Sequence, residues 1–274
     1  MITDRDQIMK MIDAEEIELG DNVTFGGPDV HISGIRRPAK RIVIGDNVFI
    51  GKNVYAAIPE LIVGDFTTIH QSCRFSGYTT LSIGHNVMVD QNSILNSTER
   101  LEIGNGVCIG CYTQVWTHCR WGDTLVGFKF DSKKPMTIHD DAYFCGNCYV
   151  SPVDVGEKAF VLGSSVVTKD LLPNHVYAGN PALDITDKVG APYTEVSVTE
   201  RKQDMQDRVD KFFEGTTKWS RESIEIVESW DFEIRPDVTY FNVADRTYSK
   251  RGADIEKDIM LFLLPMAKFN PKKV

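Results

Sequence analysis

A hydrophobic residue recurs at every sixth position through the middle of this chain, and this repeat constrains the fold more than any other feature. The series runs Ile44, Ile50; Val63, Ile69, Phe75; Ile83, Val89, Leu95; Ile103, Ile109, Val115; Ile138, Phe144, Val150; and Val155, Val161, Val167. A period of six is neither the 3.6 of an α-helix nor the 2 of an ordinary strand. It predicts short strands separated by tight corners, three to a coil, in a stacked β-solenoid.

The fifth position of each six-residue unit gives a second periodic signal, because it is small or β-branched. These residues are Val48, Val54, Thr67, Cys73, Val87, Ser93, Val107, Thr113, Ala142, Cys148, Ala159 and Ser165. We predict that positions one and five both point inward, one bulky and one small. Coils that begin at Ile44, Val63, Ile83 and Ile103 are 19, 20 and 20 residues apart, which is three units plus one or two corner residues. Stacked coils bury a continuous core that no single coil could bury alone.

The repeat covers only part of the 274 residues, which predicts three regions. Residues 1–42 hold a short amphipathic helix, predicted over 3–15, and an irregular first coil. Residues 43–190 form the regular β-helix. Residues 191–274 lose the repeat and are predicted to form a small α+β appendix.

Within that appendix, apolar residues at helical spacing predict helices over 198–214 and 253–269. Between them, residues 222–244 alternate in a way that favours short strands. This region carries no chemical motif, so it is predicted either to modify an acceptor site or to cap the end of the β-helix.

One coil is longer than the others. The step from Ile103 to Ile138 is 35 residues, against about 19 elsewhere, so this coil must eject a loop of about 16–18 residues near 117–135. Long excursions from a rigid scaffold often carry function.

Composition limits the class of protein. A net charge of −9 argues against a nucleic-acid-binding surface. No apolar run reaches membrane-spanning length, and the N-terminus lacks the apolar stretch of a secretion signal. We therefore expect a cytoplasmic protein whose six cysteines are free thiols.

Over about residues 40–185, the six-residue repeat resembles that of the hexapeptide-repeat acyltransferases. A second element, Val-Thr-Lys-Asp at 167–170 followed by Ala-Gly-Asn-Pro-Ala at 178–182, is similar to a signature of the acetyltransferases in that superfamily. The resemblance implies a mainly β fold, a left-handed parallel β-helix, with the N-terminal helix and C-terminal appendix added to it. It also implies a homotrimer in which each active site lies between two subunits.

The candidate catalytic residue is His118, in the run Val-Trp-Thr-His at 115–118 where the coil gives way to the ejected loop. In sugar and xenobiotic acetyltransferases of this superfamily, a similar Thr-His element supplies the general base. Histidine suits this role because its pKa lies close to neutral pH. The alternative is a surface histidine without a role.

The resemblance assigns further residues to the two substrates of an acyl transfer. Asp90 and Asn92, one coil earlier, are predicted to contact the acceptor, and Trp121 in the loop either stacks on a sugar ring, forms an apolar lid or packs on a neighbouring subunit. The predicted coenzyme A contacts are Gly146, Gly163, Lys169, Asn180 and Pro181. Glycines permit close approach of the pantetheine arm, and a lysine suits the nucleotide phosphates.

The sequence departs from the family pattern at one place. Family members usually follow Asn-Pro-Ala with Lys or Arg, whereas here Leu183 and Asp184 follow. This departure weakens the predicted contact with the nucleotide phosphates and leaves another acyl donor open.

We therefore predict an acetyl-CoA-dependent acetyltransferase that acts on a hydroxyl or amine of a small acceptor, a sugar or a nucleotide-linked sugar by resemblance. The competing interpretation is a non-catalytic solenoid that serves as a scaffold. No metal is predicted. The pairs Cys108/Cys111 and Cys145/Cys148 sit at different phases of the repeat, which disfavours zinc, and the closely spaced histidine pair of γ-type carbonic anhydrases is absent.

Overall fold

The computed structural model describes residues 1–273 and divides the chain into two compact units, residues 1–193 and 194–274. The first unit is built from three parallel sheets, which the chain visits in turn on each coil. This arrangement confirms a mainly β fold of stacked parallel strands.

The strands of each sheet pair in register with their counterparts in the next coil. Sheet 1 contains β1 (Ala14–Leu19), β4 (Ala39–Ile44), β7 (Glu60–Val63), β10 (Thr80–Ile83), β13 (Leu101–Ile103) and β18 (Met136–Ile138). Sheet 2 contains β2 (Thr24–Phe25), β5 (Phe49–Ile50), β8 (Thr68–Ile69), β11 (Met88–Val89), β14 (Cys108–Ile109), β19 (Tyr143–Phe144), β21 (Phe160–Val161), β23 (Val176–Ala178) and the antiparallel β24 (Leu183–Asp184). Sheet 3 contains β3 (His31–Ser33), β6 (Tyr55–Ala57), β9 (Arg74–Gly77), β12 (Ile94–Ser97), β15 (Gln114–Trp116), β20 (Tyr149–Val150) and β22 (Val166–Val167).

Burial confirms the predicted inward positions. All twelve small or β-branched residues at position five are at most 1% exposed, and the bulky residues at position one are at most 3% exposed. The corners between the strands are tight because asparagines such as Asn47, Asn53 and Asn92 adopt the left-handed conformation there, with φ of 57°, 55° and 60°. One continuous apolar core therefore runs through the stack.

The N-terminal region differs from its prediction. Helix α1 covers only Arg5–Lys10, and the residues that follow it form strand β1. The first coil is paired with the next one, because β1 pairs with β4 over five register positions from Ala14↔Ala39 to Leu19↔Ile44. It is irregular in length, as predicted, since this register spans 25 residues, against 19 and 20 in the next two coils. The backbone of β1 makes its hydrogen bonds with the parallel strand β4. The free energy of this pairing outweighs the weak helical propensity of these residues.

The corner between sheets 1 and 2 carries a ladder of side-chain-to-backbone hydrogen bonds. In it the side chains of Asp46, Asp65, His85, Asn105 and Asp140 each accept from the backbone N–H of the preceding coil, at 2.7, 3.0, 2.8, 2.9 and 2.7 Å. The acceptor of His85 is Nδ1, so that nitrogen carries no proton in this arrangement. We call these five residues the corner ladder.

Removing His85 from the corner ladder tests its contribution to stability. His85→Ala leaves the Asp65 N–H without this acceptor and should lower the free energy of unfolding by about 1–3 kcal/mol. His85→Asn restores an oxygen acceptor of the kind that Asn105 already supplies, and should recover most of the loss. Urea denaturation of the three proteins measures the difference; equal stability of the two variants would contradict this account.

The second unit is a four-stranded mixed sheet with two helices. Its strands are β25 (Ile224–Val227), β26 (Thr239–Asn242), β27 (Thr247–Lys250) and β28 (Asn270–Lys273), and its helices are α3 (Val198–Glu214) and α4 (Asp254–Leu263); a short helix, α2 (Thr186–Val189), closes the first unit. Helix α3 matches its predicted bounds, and a capping box between Ser197 and Glu200 fixes its start. Helix α4 ends earlier than predicted, because Pro265 follows and cannot continue the helical hydrogen bonding.

Candidate functional site

His118 lies at the corner between sheets 3 and 1, directly after β15. It opens the short strand β16 (His118–Cys119), which pairs antiparallel with β17 (Ser132–Lys133). The Lys134 N–H also donates to the Thr117 carbonyl at 3.2 Å. The predicted excursion at 117–135 is thus present, and its base is a two-stranded hairpin that holds the histidine beside the coil.

Asn96, one coil earlier, orients the imidazole of His118. Its Oδ1 accepts the Thr98 backbone N–H at 3.0 Å, which identifies that atom as the oxygen. The same Oδ1 lies 3.0 Å from His118 Nδ1, so Nδ1 must carry the proton and donate it. The lone pair is therefore on Nε2, the form of histidine that can accept a proton from a substrate.

Thr117 fixes the backbone on which His118 stands. Its side chain is fully buried, accepts the Glu99 N–H at 3.0 Å and donates to the Asn96 carbonyl at 3.0 Å. The Glu99 carboxylate in turn forms an ion pair with Lys133 Nζ at 2.6 Å, which links strand β17 of the hairpin to the coil. A buried hydroxyl with both hydrogen bonds made holds the neighbouring side chain in one place.

The ring of Trp116 forms one wall beside the imidazole. The two ring centroids are 5.8 Å apart and the planes meet at 68°, an edge-to-face contact. Trp116 Nε1 donates to Gln114 Oε1 at 3.3 Å. His118 is half-buried, so the imidazole is both packed and reachable.

The sequence analysis missed Asn96, although the signal was available. The register pairs Asn96 with Trp116, 20 residues later, which is the ordinary length of one coil. Subtracting one coil from the Trp-Thr-His run would have placed a polar amide directly beneath it. The sequence predicts Asp90 and Asn92 instead, because the resemblance implies that an amide or acid on that coil contacts the acceptor.

The structure places Asp90 and Asn92 away from His118 of the same chain. They follow β11, at the corner between sheets 2 and 3, whereas His118 is at the corner between sheets 3 and 1. Asp90 Oδ1 accepts the Gln91 N–H at 2.7 Å, and Asn92 is a left-handed corner residue with φ of 60°. Within one chain the width of sheet 3 separates them from the imidazole.

The predicted coenzyme A residues fall on two edges of sheet 3. Gly146 and Gly163 are stacked at the corner with Asp90, and a Cβ built on Gly163 would lie 3.5 Å from the Gly146 carbonyl oxygen. The two glycines leave a strip of corner backbone without side chains. Lys169 is exposed and follows β22, on the same edge as His118, while Asn180 and Pro181 are exposed beyond β23.

Leu183 and Asp184 follow Asn-Pro-Ala, where the resemblance predicts a lysine or arginine, and Asp184 is an anion at neutral pH. Hydrogen bonds from the Thr186 hydroxyl and backbone, followed by one from His175, lower the pKa of its carboxyl to about 2. The His175 Nδ1 lies 2.6 Å from Asp184 Oδ2. This pair places a carboxylate, rather than a lysine or arginine, near the end of the β-helix.

The loop between β16 and β17 exposes an unusual amount of apolar surface. Trp121 is 98% exposed, Leu125 92%, Val126 81% and Phe130 79%. Asp123 caps a single 3₁₀ turn (Thr124–Val126) at its tip. Trp121 touches neither His118 nor the coils, so in the isolated chain these side chains face water, which is uncommon for a group of this size.

The six cysteines are free thiols that differ in burial. Burial raises the pKa of the Cys73 thiol to about 11, whereas Cys119 is exposed beside His118. We expect iodoacetamide near pH 8.5, about the pKa of an ordinary thiol, to alkylate Cys119 well before Cys73, because the thiolate is the reactive form. Peptide mass spectrometry over a time course measures the order, and alkylation of Cys73 first in the folded protein would refute it.

Within residues 1–273, no three His, Cys, Asp or Glu side chains lie close enough to share a metal ion. Over the same residues, no helix is both long and apolar enough to cross a membrane.

The known proteins to which this chain is similar include several acyltransferases. No protein-family model matches the chain. The acyl-[acyl-carrier-protein]–UDP-N-acetylglucosamine O-acyltransferase of Sinorhizobium medicae is 28% identical over 142 residues, 49% of this chain and 51% of that protein. The galactoside O-acetyltransferase of Escherichia coli K12 is 28% identical over 138 residues, 50% of this chain and 52% of that protein.

The chain thus spans about half the length of these curated relatives. Among solved structures, the UDP-N-acetylglucosamine acyltransferase from Campylobacter jejuni gives a TM-score of 0.45 at 16% identity, covering 76% of this chain and 84% of that one. The fold assignment itself rests on the strand register described above. The relatives are enzymes that transfer acyl groups, and they confirm the resemblance to the hexapeptide-repeat acyltransferases.

Proposed function

We propose that this chain is a hexapeptide-repeat acyltransferase that moves an acetyl group from acetyl-CoA to a hydroxyl or amine of a small acceptor, a sugar or nucleotide-linked sugar. The observation that carries the proposal is the hydrogen bond between His118 Nδ1 and Asn96 Oδ1, which leaves Nε2 as a base. A solenoid with only a scaffolding role would not need an imidazole oriented in this way.

The proposed reaction is direct transfer in a ternary complex. His118 Nε2 takes the proton of the acceptor hydroxyl or amine while its oxygen or nitrogen attacks the thioester carbonyl. The carbon–sulfur bond then breaks, the acyl group stays on the acceptor, and the imidazolium returns its proton to the departing thiolate of coenzyme A. General-base catalysis of this kind contributes about 10²–10⁴-fold.

The corner with Gly146 and Gly163 supports a donor site for the pantetheine arm. Two stacked glycines expose backbone groups at a place where side chains would otherwise stand. Lys169 is free to meet a phosphate, and Asn180 with Pro181 would line the exit of the groove. The anionic Asp184 opposes a phosphate at its own position, so we assign no phosphate contact there.

A homotrimer of left-handed β-helices is proposed for the assembly. The outward row of sheet 2 supports it, because it is mainly apolar and Met88 is 39% and Tyr143 42% exposed on it. This apolar stripe consists of Phe49, Met88, Cys108, Tyr143 and Phe160, with Thr68 between the first two. A flat apolar face of this kind favours association of identical subunits.

That assembly would also explain the separated site residues. Sheet 2 ends at the corner that carries Asp90, Asn92, Gly146 and Gly163, so a copy docked on sheet 2 lies beside that corner. We propose that these residues meet the acceptor and donor at a site completed by His118 of a neighbouring copy. The cytoplasmic location stays a prediction.

Two measurements test the proposed function. Coenzyme A should bind only the folded chain and so stabilise it by a free energy of RT ln(1 + [L]/Kd). Thermal denaturation should show this stabilisation as a higher melting temperature. Acetyl-CoA should release thiol in the presence of a suitable acceptor from a panel of sugars, amino sugars and nucleotide-linked sugars. If coenzyme A does not stabilise the chain and acetyl-CoA releases no thiol, the scaffold interpretation is favoured instead.

A further inference from the structure

The three faces of the β-helix differ sharply in charge. The outward side chains of sheet 1 include Glu16, Glu18, Glu60 and Glu102, and Arg41 forms ion pairs with the first three of them. The outward row of sheet 2 is the apolar stripe. Sheet 3 is different from both, and it is the sheet whose strand β15 leads into His118.

The outer face of sheet 3 carries no carboxylate in any of its strands. Its first outward row is His31, Tyr55, Arg74, Ile94, Gln114, Tyr149 and Val166, and its second is Ser33, Ala57, Ser76, Asn96 and Trp116, all in register. The chain contains 39 Asp and Glu residues and has a net charge of −9. Sheet 2 also lacks carboxylates except for Asp184 in β24, so the distinguishing feature of sheet 3 is that its acid-free face carries an exposed arginine, Arg74. An anion can approach such a face with little repulsion.

Arg74 is held on this face by stacking rather than by an ion pair. Its guanidinium lies 5.4 Å from the ring centroid of Tyr55, and the other side of that ring stacks on His31 at 5.2 Å and 19°. Throughout residues 1–273, no carboxylate or other acceptor reaches the Arg74 guanidinium. A guanidinium whose donors have no protein partner presents a fork suited to a phosphate.

Two carboxylates at the corners on either side of β12 have other partners. Asp90, at the corner before β12, accepts the Gln91 N–H, and Glu99, at the corner after β12, pairs with Lys133. Neither is paired with Arg74. The positive charge of Arg74 remains available to a ligand, whereas His31 is already hydrogen-bonded through Nε2 to Ser33 Oγ at 2.9 Å.

From this juxtaposition we infer that the outer face of sheet 3 binds the phosphate-bearing end of the acceptor, with Arg74 as its main contact. The inference rests on the proposed function and narrows its acceptor to a phosphorylated one, such as a sugar carried on a nucleoside diphosphate. The reacting hydroxyl or amine would lie at His118 and the phosphates over the preceding coils.

The spacing fits an extended acceptor. Arg74 and Gln114 occupy the same register position two coils apart, and Trp116, which contacts the His118 ring, is two residues further along the strand. With strands about 4.8 Å apart and residues about 3.3 Å apart, this path covers about 12 Å. That distance exceeds a single sugar ring, so the group recognised is remote from the group acylated.

Phosphate could also come from coenzyme A, and the experiment separates the two sources. Isothermal titration calorimetry of the full-length chain would use uridine diphosphate, inorganic pyrophosphate and coenzyme A as separate probes. The variants are Arg74→Met, Arg74→Lys and, as a control with the same loss of charge, Arg208→Met on helix α3, where the guanidinium is ion-paired with Asp204.

We expect Arg74→Met to raise the Kd for uridine diphosphate by about 10- to 100-fold, the loss of a hydrogen-bonded charge. Arg74→Lys should fall between it and the unmodified protein, since it keeps the charge without the fork. The Kd for coenzyme A should not change, and Arg208→Met should match the unmodified protein with every probe.

Three results would overturn the inference. The first is that neither uridine diphosphate nor pyrophosphate binds the unmodified protein, and the second is that Arg74→Met leaves the Kd for uridine diphosphate unchanged. The third is that Arg74→Met weakens coenzyme A binding as much as uridine diphosphate binding, which would make the face a donor site. If coenzyme A binds and acyl transfer proceeds while Arg74→Met changes nothing, only this inference fails. If coenzyme A neither binds nor reacts, the proposed function fails as well.

Discussion

His118→Ala should lower the rate of acyl transfer by about 10²–10⁴-fold, the ordinary contribution of a positioned general base. The loss should appear in kcat, because Nε2 acts on the proton of the acceptor during the chemical step and not during donor binding. The readout is thiol release from acetyl-CoA with the best acceptor of the panel. Added imidazole should restore part of the rate, since the cavity left by the side chain is next to the half-exposed edge of the site.

The matched control is Asn96→Ala, which leaves the imidazole in place but removes the acceptor of its Nδ1 proton. As a positioning variant it should lose less activity than His118→Ala and should not be rescued by imidazole. Both variants should bind coenzyme A as the unmodified protein does and melt cooperatively. Full activity in a folded His118→Ala protein would remove the base from the mechanism.

Ile83→Ala should lower the free energy of unfolding by about 2–5 kcal/mol. Ile83 is 1% exposed and occupies the bulky inward position of strand β10, so its removal opens a cavity between coils whose spacing is set by the hydrogen bonds of the parallel sheet. The strand pairs on both sides, with β7 and β13, limit how far the backbone can relax to fill it. Denaturant unfolding followed by circular dichroism measures the change.

Ser82→Ala, one residue earlier on the same strand, is the control. Ser82 faces outward from sheet 1, and exposed substitutions away from special features usually stay within about 0.5 kcal/mol. A similar loss in both variants would mean that strand β10 is sensitive to any change. A small loss in both would mean that the inward row does not support the fold.

The period of the hydrophobic residues predicted the β-helix because a strand alternates its faces and a coil returns after a fixed number of residues. The same arithmetic located the ejected loop, since an excess of residues between Ile103 and Ile138 has no room inside a coil. The spacing of apolar residues also predicted strands where β25 and β26 lie and a helix that contains α4. It placed the N-terminal helix over the start of β1 and missed β27 and β28, where short segments have no repeat and pairing with a distant strand decides the structure. Strand β28, for example, is polar and is defined by its partner β27 alone.

Only part of the candidate site could be predicted from the sequence. His118 stands in a recognisable run, but Asn96 acts through a contact between coils, and such contacts follow from register rather than from local motif. The charge pattern of the three faces was also hidden, because outward residues of one sheet are spread over the whole β-helix. Only the assembled register shows that Arg74 has no carboxylate beside it.

The alternation of buried and outward residues along each strand has an evolutionary consequence. Adjacent residues are under different selective constraints, because one fills the core and the next faces solvent or a ligand. Examples are Leu95 beside Ile94 and Val115 beside Gln114. Substitutions on the outer rows can therefore accumulate without disturbing folding, one coil at a time. A lineage built on this scaffold is free to exchange one acceptor for another while its interior stays the same.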